Sequence, residues 1–410
     1  MPRRDQFAVP LYRAARVAFA TALFLFLSLL PGLLPGLLPG LSAAQAQGFV
    51  PSSSAAAAAY LLMDADSGRL LVAQDIDAPR EPASLTKMMT VYVAGQKLLQ
   101  GAIFMTDEVR VSQNAWRMTG SRMFLDLNST VSVAALLHGI IVQSGNDASV
   151  ALAEHVAGTE AEFVELMNRT ARELGMTRTT FANATGLPAR AAVQTTARDM
   201  ATLSLALMHD HPYLYSLHSI RHFEYNNINQ TNRNRLLHHD PTVDGIKTGY
   251  TRAAGYCQTT SAMRGEMRLI AVVLGAGSTA ARTRLNQELL DYGFSHYETH
   301  RLHTRGEPLG AIRVWKARQS ELPYGLDTDI VVTIPRGRLP DLDRRVSLSL
   351  TEPVLGPMLR GQKVGELQIV LGDQILARED LFTLAEAAPA GFFSQVVDSV
   401  RLLLLRTNLL

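Results

Sequence analysis

The chain reads as a multidomain α+β protein: an antiparallel sheet flanked by helices, then a small all-β sandwich domain, then a C-terminal amphipathic helix. Three observations carry this. Strand-like runs at 60–75 and 255–275 enclose a helical middle, the pattern of an antiparallel sheet with helices packed on it. Beyond residue 296 the texture changes to short runs with period-two alternation, broken by Gly and Pro, as in "DIVVTIPRG", "RRVSLSL" and "KVGELQIVLGDQIL". In the last twenty residues Phe392, Phe393, Val396, Val397, Val400, Leu403 and Leu404 share one helical face, while Ser394, Gln395, Asp398, Ser399 and Arg401 form much of the other.

Residues 1–46 read as a signal peptide: Arg3, Arg4, Arg13 and Arg16, an apolar run at 17–30, and Ala44 and Ala46 in the small-x-small pattern of a cleavage site before Gln47. The alternative is an uncleaved N-terminal anchor, which the repeat "PGLLPGLLPGL" disfavours because it interrupts a continuous spanning helix. Either way the protein is exported. Residues 47–59 form a low-complexity, flexible lead-in. The first domain is expected over 60–295, opening with two strands around a turn at Asp66-Ser67-Gly68. Helical patterns follow at 82–100, 131–143, 146–157, 160–174 and 196–209, then strands at 255–262 and 267–275 and a helix at 280–292. The small β domain covers 296–385, and 386–410 are a linker and a helix suited to lying in a membrane interface. Asp398, Arg401 and Arg406 interrupt a segment already marginal in length for spanning; the alternative is an ordinary helix packed on the protein.

Bulk numbers narrow the function. The 410 residues are 47% hydrophobic and 19% charged, a globular composition. The net charge of +2 comes from the first 46 residues; the rest of the chain stands at −1, which argues against a nucleic-acid partner. A single cysteine, Cys257, excludes an internal disulfide and a cysteine-based metal cage.

Three short motifs carry the chemistry. "EPASLTKMMTVYVA" at 81–94 reads as a mostly buried helix with Pro82 near its start. Ser84 and Lys87 lie one turn apart on one face, and the chain has only five lysines. Burial lowers a lysine's pKa, so a neutral Lys87 can take the Ser84 proton as the hydroxyl attacks a carbonyl. Ser144-Gly145-Asn146 joins two buried helices; its hydroxyl can relay a proton to a leaving group and the Asn146 amide can hold a peptide backbone. Ser112-Gln113-Asn114 fits the same pattern but lies in a polar, loop-like stretch, and helix capping explains either serine equally well. Lys247-Thr248-Gly249 precedes the later strand pair; its lysine and hydroxyl can bind a carboxylate, and Gly249 admits substrate backbone. In isolation each match is weak. S-x-x-K, S-x-N and K-T-G in that order form the signature of penicillin-interacting serine enzymes.

With these motifs, and with "IVQSGNDASVALAEHVAG", "MNRTARELGMTRTTFANATGL", "NRNRLL" and "VDGIKTGYT", the chain resembles the low-molecular-mass penicillin-binding proteins that are serine-type D-alanyl-D-alanine carboxypeptidases. The resemblance implies a β-lactamase/transpeptidase-like domain with Ser84 as acylated nucleophile and Lys87 as base. It implies that Ser144 and Asn146 line the site with Lys247, Thr248 and Gly249, and that the N–H groups of Ser84 and Tyr250 form the oxyanion hole. An arginine after the following strand binds the substrate carboxylate; Arg282 matches its place, with Arg284 close by. The resemblance further implies peptidoglycan stem peptides ending in D-Ala-D-Ala as substrates and β-lactams as inhibitors, and it calls for no metal or organic cofactor. The expected location is the periplasmic face of the cytoplasmic membrane, held peripherally by the terminal helix. The β domain serves as a spacer or as a docking surface for envelope proteins.

A class A β-lactamase needs a glutamate to activate water; Glu162 and Glu165 lie in what reads as a regular helix instead. A transpeptidase or endopeptidase of the same fold differs only in its acceptor. A non-catalytic envelope scaffold would be favoured by a broken motif, and none is broken.

Overall fold

The structure is a computed structural model that describes residues 49–52 and 55–406. The signal peptide and cleavage site expected within 1–46 lie outside the described residues. Strands β1 (Ala59–Asp64) and β2 (Leu70–Gln74) are joined by the turn foreseen at 66–68. A 3-10 turn at Ala83–Leu85 leads into α1 (Thr86–Leu99), followed by β3 (Glu108–Arg110), α2 (Gln113–Trp116), β4 (Thr130–Ser132) and α3 (Val133–His138). A π-helical turn at Gly139–Gln143 precedes α4 (Asn146–Ala157), α5 (Glu160–Glu173), α6 (Ala197–Asp210) and α7 (Pro212–Ser216). The hairpin β5 (His222–Tyr225) and β6 (Ile228–Thr231), absent from the sequence expectation, and α8 (Leu236–His239) lead to β7 (Val243–Thr251), β8 (Gly255–Arg264), β9 (Met267–Ala276) and α9 (Thr279–His296).

The central sheet is antiparallel, in the order β2-β1-β9-β8-β7, which leaves β7 at an edge. Period-two alternation sorts its side chains. Leu61 and Met63 of β1 with Ile270, Val272 and Leu274 of β9 join the core built by α1, α4, α5 and α6. Their neighbours Leu62, Leu269, Ala271 and Val273 face α9, through Leu285, Leu289 and Phe294. A Cβ on Gly293 of α9 would lie 2.5 Å from Leu269 and 2.7 Å from Leu62, so helix and sheet meet there in direct contact. Helices thus cover both faces of the sheet.

The second domain holds β10 (Tyr297–His303), β11 (Pro308–Arg313), β12 (Glu321–Gly325), β13 (Ile330–Pro335), β14 (Leu342–Leu348), β15 (Lys363–Leu371) and β16 (Gln374–Thr383). A five-stranded sheet β11-β12-β16-β15-β14 and a pair β10-β13 enclose their own apolar core, including Ile312, Leu322, Ile334, Leu367 and Ile369. Hydrogen bonds tie this domain to β1: the buried Asp64 accepts from Thr299 Oγ1 at 2.6 Å and from Ser67 Oγ, which in turn lies 2.6 Å from Thr333 Oγ1. The terminal helix α10 (Phe392–Arg406) follows.

Two expectations need correction. The lead-in at 47–59 is not loose where it is described. Phe49 packs edge-on against Tyr60 and Tyr292, Ala55 is buried, and Ser52 is hydrogen-bonded to Glu288. One aromatic ring and small alanines suffice to fasten a low-complexity segment to a waiting apolar surface. The helix expected from residue 82 starts later, because Ala83 takes a left-handed φ of 47° and leaves Ser84 on the 3-10 turn just before α1.

Candidate active site

The cleft starts from Lys87, buried in the first turn of α1. Its Nζ donates to Ser84 Oγ at 3.1 Å, to Asn146 Oδ1 at 2.7 Å and to the Thr185 carbonyl at 2.7 Å. Burial, reinforced by the nearby Arg233 charge and opposed by Asp147, lowers its pKa to about 7. Lys87 is therefore poised between its two protonation states near neutral pH. The 3-10 turn and the left-handed Ala83 beside it set Ser84 apart from the regular helix; a non-glycine residue at positive φ is strained backbone, of the kind concentrated at functional sites.

Ser144 ends the π-helical turn with φ 63°, and its buried Oγ has no hydrogen-bond partner among the described residues. Asn146 opens α4; its amide oxygen takes the Lys87 bond while its Nδ2 donates to Thr119 O at 2.6 Å. The neighbouring Asp147 accepts from the backbone N–H groups of Met123, Phe124, Leu125 and Ala148, pinning the 121–125 segment beside the cleft. Ser112, the competing match to S-x-N, caps α2 by accepting from Ala115 N, as an ordinary N-cap does.

The far wall is β7. Lys247 Nζ donates to the Thr248 carbonyl at 2.9 Å. Burial holds this ammonium well below its usual pKa, with Lys87, Arg233 and Arg282 adding to the effect. A Cβ on Gly249 would stand 2.9 Å from Ser84 N and 3.1 Å from Pro82 O, so a glycine lets the strand touch the serine turn. Tyr250 is exposed and stacks on Tyr256 at 4.3 Å between ring centroids. Of the two candidate arginines, Arg282 reaches β7: its Nη1 donates to Gly249 O at 3.0 Å and to Cys257 O at 3.3 Å. Arg284 is exposed on α9. Burial lowers the Arg282 pKa to about 10, and its buried Nε has no hydrogen-bond partner among the described residues.

Sequence reasoning missed three contributors. Arg233 donates from Nε to Gln143 O at 3.0 Å, bracing the turn that carries Ser144, and its charge acts on both buried lysines. Thr185 supplies a carbonyl to Lys87. Gly186, at φ 77°, lies so close to the serine turn that a Cβ would fall 1.8 Å from Ala83 O. The quoted run "NRNRLL" held the only clue to Arg233; the other two act through backbone, which leaves no mark in side-chain chemistry. Glu162 is engaged with Thr159 at the start of α5, where it serves the helix terminus.

A half-buried serine against a lysine of lowered pKa, with Lys247 and Arg282 on the facing strand wall, is the arrangement of a serine acyl-transfer enzyme that works without histidine. Similarity to known proteins narrows that class. Residues 44–278 match the D-alanyl-D-alanine carboxypeptidase family, and 297–388 match the penicillin-binding protein 5 C-terminal domain. The chain is 43% identical over 359 residues to D-alanyl-D-alanine carboxypeptidase DacC of Escherichia coli K12, covering 86% of this chain and 89% of that one. It is 39% identical over 355 residues to DacA of the same organism, covering 85% and 87%. Penicillin-binding protein 5 from Haemophilus influenzae superposes with a TM-score of 0.78 at 38% identity, covering 83% of this chain and all of that one. The chain belongs to the serine D-alanyl-D-alanine carboxypeptidase family of penicillin-binding proteins, acting on peptidoglycan.

Proposed function

We propose that in this chain the family's reaction, removal of the terminal D-alanine from D-Ala-D-Ala stem peptides, runs through Ser84. Its Oγ attacks the carbonyl carbon of the penultimate D-alanine while the proton passes to Lys87 Nζ. The oxyanion that forms is held by the N–H groups of Ser84 and Tyr250. Collapse breaks the peptide bond; Ser144, whose hydroxyl is otherwise unengaged, relays the proton to the departing amine. Asn146 holds the peptide backbone, while Lys247, Thr248 and Arg282 receive the terminal carboxylate against β7. Water then attacks the acyl-serine ester, returning the Ser84 proton and releasing the shortened peptide. β-Lactams enter the first half of this cycle and stay as slowly hydrolysed adducts. The observation that carries the reading is Lys87, buried, 3.1 Å from Ser84 Oγ and lowered to about 7.

The test is D-alanine release from a stem pentapeptide by the chain from residue 47, beside a Ser84→Ala control that still folds. Release by the parent, and loss of about 10⁴-fold or more in the variant, is expected. A variant that releases D-alanine at the parental rate would remove Ser84 from the chemistry.

The export signal and α10 support a periplasmic protein held peripherally on the cytoplasmic membrane. No described helix is long and apolar enough to cross a membrane. In α10 the residues turned towards the β domain include Gln395, which donates to Ala390 O, and Asp398, which accepts from Lys316 N at 2.8 Å. The apolar face, with Phe392, Phe393, Val397 and Val400, stands in solvent, the reverse of a helix packed on its own protein.

A further inference from the structure

Membrane attachment through α10 leaves a question at the end of the β domain. Two large aliphatic side chains there are exposed: Leu355 at 48% and Leu359 at 72%. Isolated leucines on a surface are unremarkable; these two sit on a segment locked to the root of α10. Trp315 N donates to Val354 O and Gly356 N to Trp315 O, both at 2.8 Å. Met358 and Ala387 exchange both backbone hydrogen bonds, and Ala390 N donates to Lys316 O. The leucine segment, the Trp315–Arg318 stretch and the linker into α10 thus form one hydrogen-bonded layer. The linker itself is part of that layer, through the Met358–Ala387 and Ala317–Pro389 bridges.

Charge on the layer is uneven. Arg313, Arg318 and Arg360 are exposed, and Lys316 is partly so. Glu352, Glu386 and Glu321, the cross-strand partner of Arg313, oppose them and leave one positive charge, and α10 adds a second through Arg401 and Arg406 against Asp398. Apolar side chains among cations fit a surface whose outer layer is anionic and whose interior is hydrocarbon.

We propose that this end of the β domain is a second membrane-contacting element: Leu355 and Leu359 enter the acyl boundary while Arg318 and Arg360 meet the phosphates of anionic phospholipid. The proposal rests on the reading of α10 as an interfacial helix and adds to it a preference for anionic lipid. With two separate contacts the β domain is oriented on the bilayer, not merely tethered to it.

The experiment is co-sedimentation of the chain from residue 47 with vesicles of phosphatidylcholine alone, or of phosphatidylcholine with phosphatidylglycerol. Three proteins are compared: the parent, Arg318→Gln/Arg360→Gln, and the helix variant Phe393→Asp/Val400→Asp. Unchanged D-alanine release and an unchanged denaturant unfolding curve show that both domains of each variant are folded. The parent is expected to favour the anionic vesicles, and the arginine variant to lose on the order of tenfold in affinity for them while keeping its binding to neutral vesicles. A Leu355→Ser/Leu359→Ser variant should weaken on both. Parental binding by the arginine and leucine variants, with loss in the helix variant, would overturn the proposal and leave the α10 reading standing. Parental binding by the helix variant on anionic vesicles would overturn the α10 reading instead. An absence of vesicle binding by the parent would sink both.

Discussion

In the cleft, Lys87 is wholly buried and its Nζ is held by a hydroxyl, an amide oxygen and a backbone carbonyl. In the β domain, Lys363 stands largely in solvent with Asp380 at 2.6 Å. The two regions treat charge in opposite ways. β15 and β16 also place Arg378 beside Glu366 on the surface, where each pair is screened by water and individually weak. The cleft brings Lys87, Lys247 and Arg233 within electrostatic reach of one another in a desolvated setting, with no carboxylate among the described residues bonded to either lysine. Such crowding of like charge lowers stability and is retained only where lowered lysine pKa values are needed. The β domain has no such need, and its core is apolar.

The largest effect should come from adding one methyl group in each region. Gly186→Ala must place a Cβ 1.8 Å from Ala83 O, beside the serine, at φ 77°. It is expected to cost about 3 kcal/mol or more and to abolish D-alanine release, because relief requires moving the Ser84 turn. Gly372→Ala, in the β15–β16 turn at φ 60° with nothing within 4 Å, should cost only about 1 kcal/mol and leave activity intact. Denaturant midpoints for the pair measure the contrast; equal losses would erase it.

A smaller effect is expected from Arg233→Gln. Lys87 must be neutral to act as base, so kcat/KM should rise with pH through a limb near 7 in the parent. Removing the Arg233 charge lets the Lys87 pKa climb, so the limb moves to higher pH. Turnover at about pH 6.5 should fall about threefold, with the two proteins converging in alkali. An unmoved limb would show that Arg233 acts only by bracing Gln143. The smallest effect belongs to Lys363→Gln, which should shift stability by less than about 0.5 kcal/mol and leave the pH profile untouched. A larger loss would mean that the β-domain ion pairs are not the weak surface contacts their exposure implies.

The same contrast explains what was legible in the sequence. Ser84, Lys87, Ser144 and Asn146 stood out as polar residues in or between apolar helices, and Lys247 to Gly249 through the order of the three motifs; the structure brings them together. Apolar runs bounded by turns revealed β1 and β9, which bury nearly every residue, and period-two alternation revealed β15. The β5–β6 hairpin escaped because its strands are mostly exposed. Its one sign was Asn226-Asn227, both at positive φ in the turn, where asparagine is tolerated. Arg233 and Thr185 escaped because their partners are distant in sequence: Lys87 and Thr185 lie 98 residues apart. Folding alone makes such pairs neighbours.

The position of β7 at the rim of its sheet has a further consequence. An unpaired strand edge is a template for any extended chain, and proteins that expose one invite aggregation. Here the usable length is short. The Ile246 carbonyl is already taken by His218 Nδ1 at 2.8 Å, and at Gly249 the serine turn closes against the strand. Only Lys247 and Thr248 lie between these stops, too short an edge to nucleate a foreign sheet. A strand edge stopped at both ends in this way offers a second copy of the chain little length to pair with.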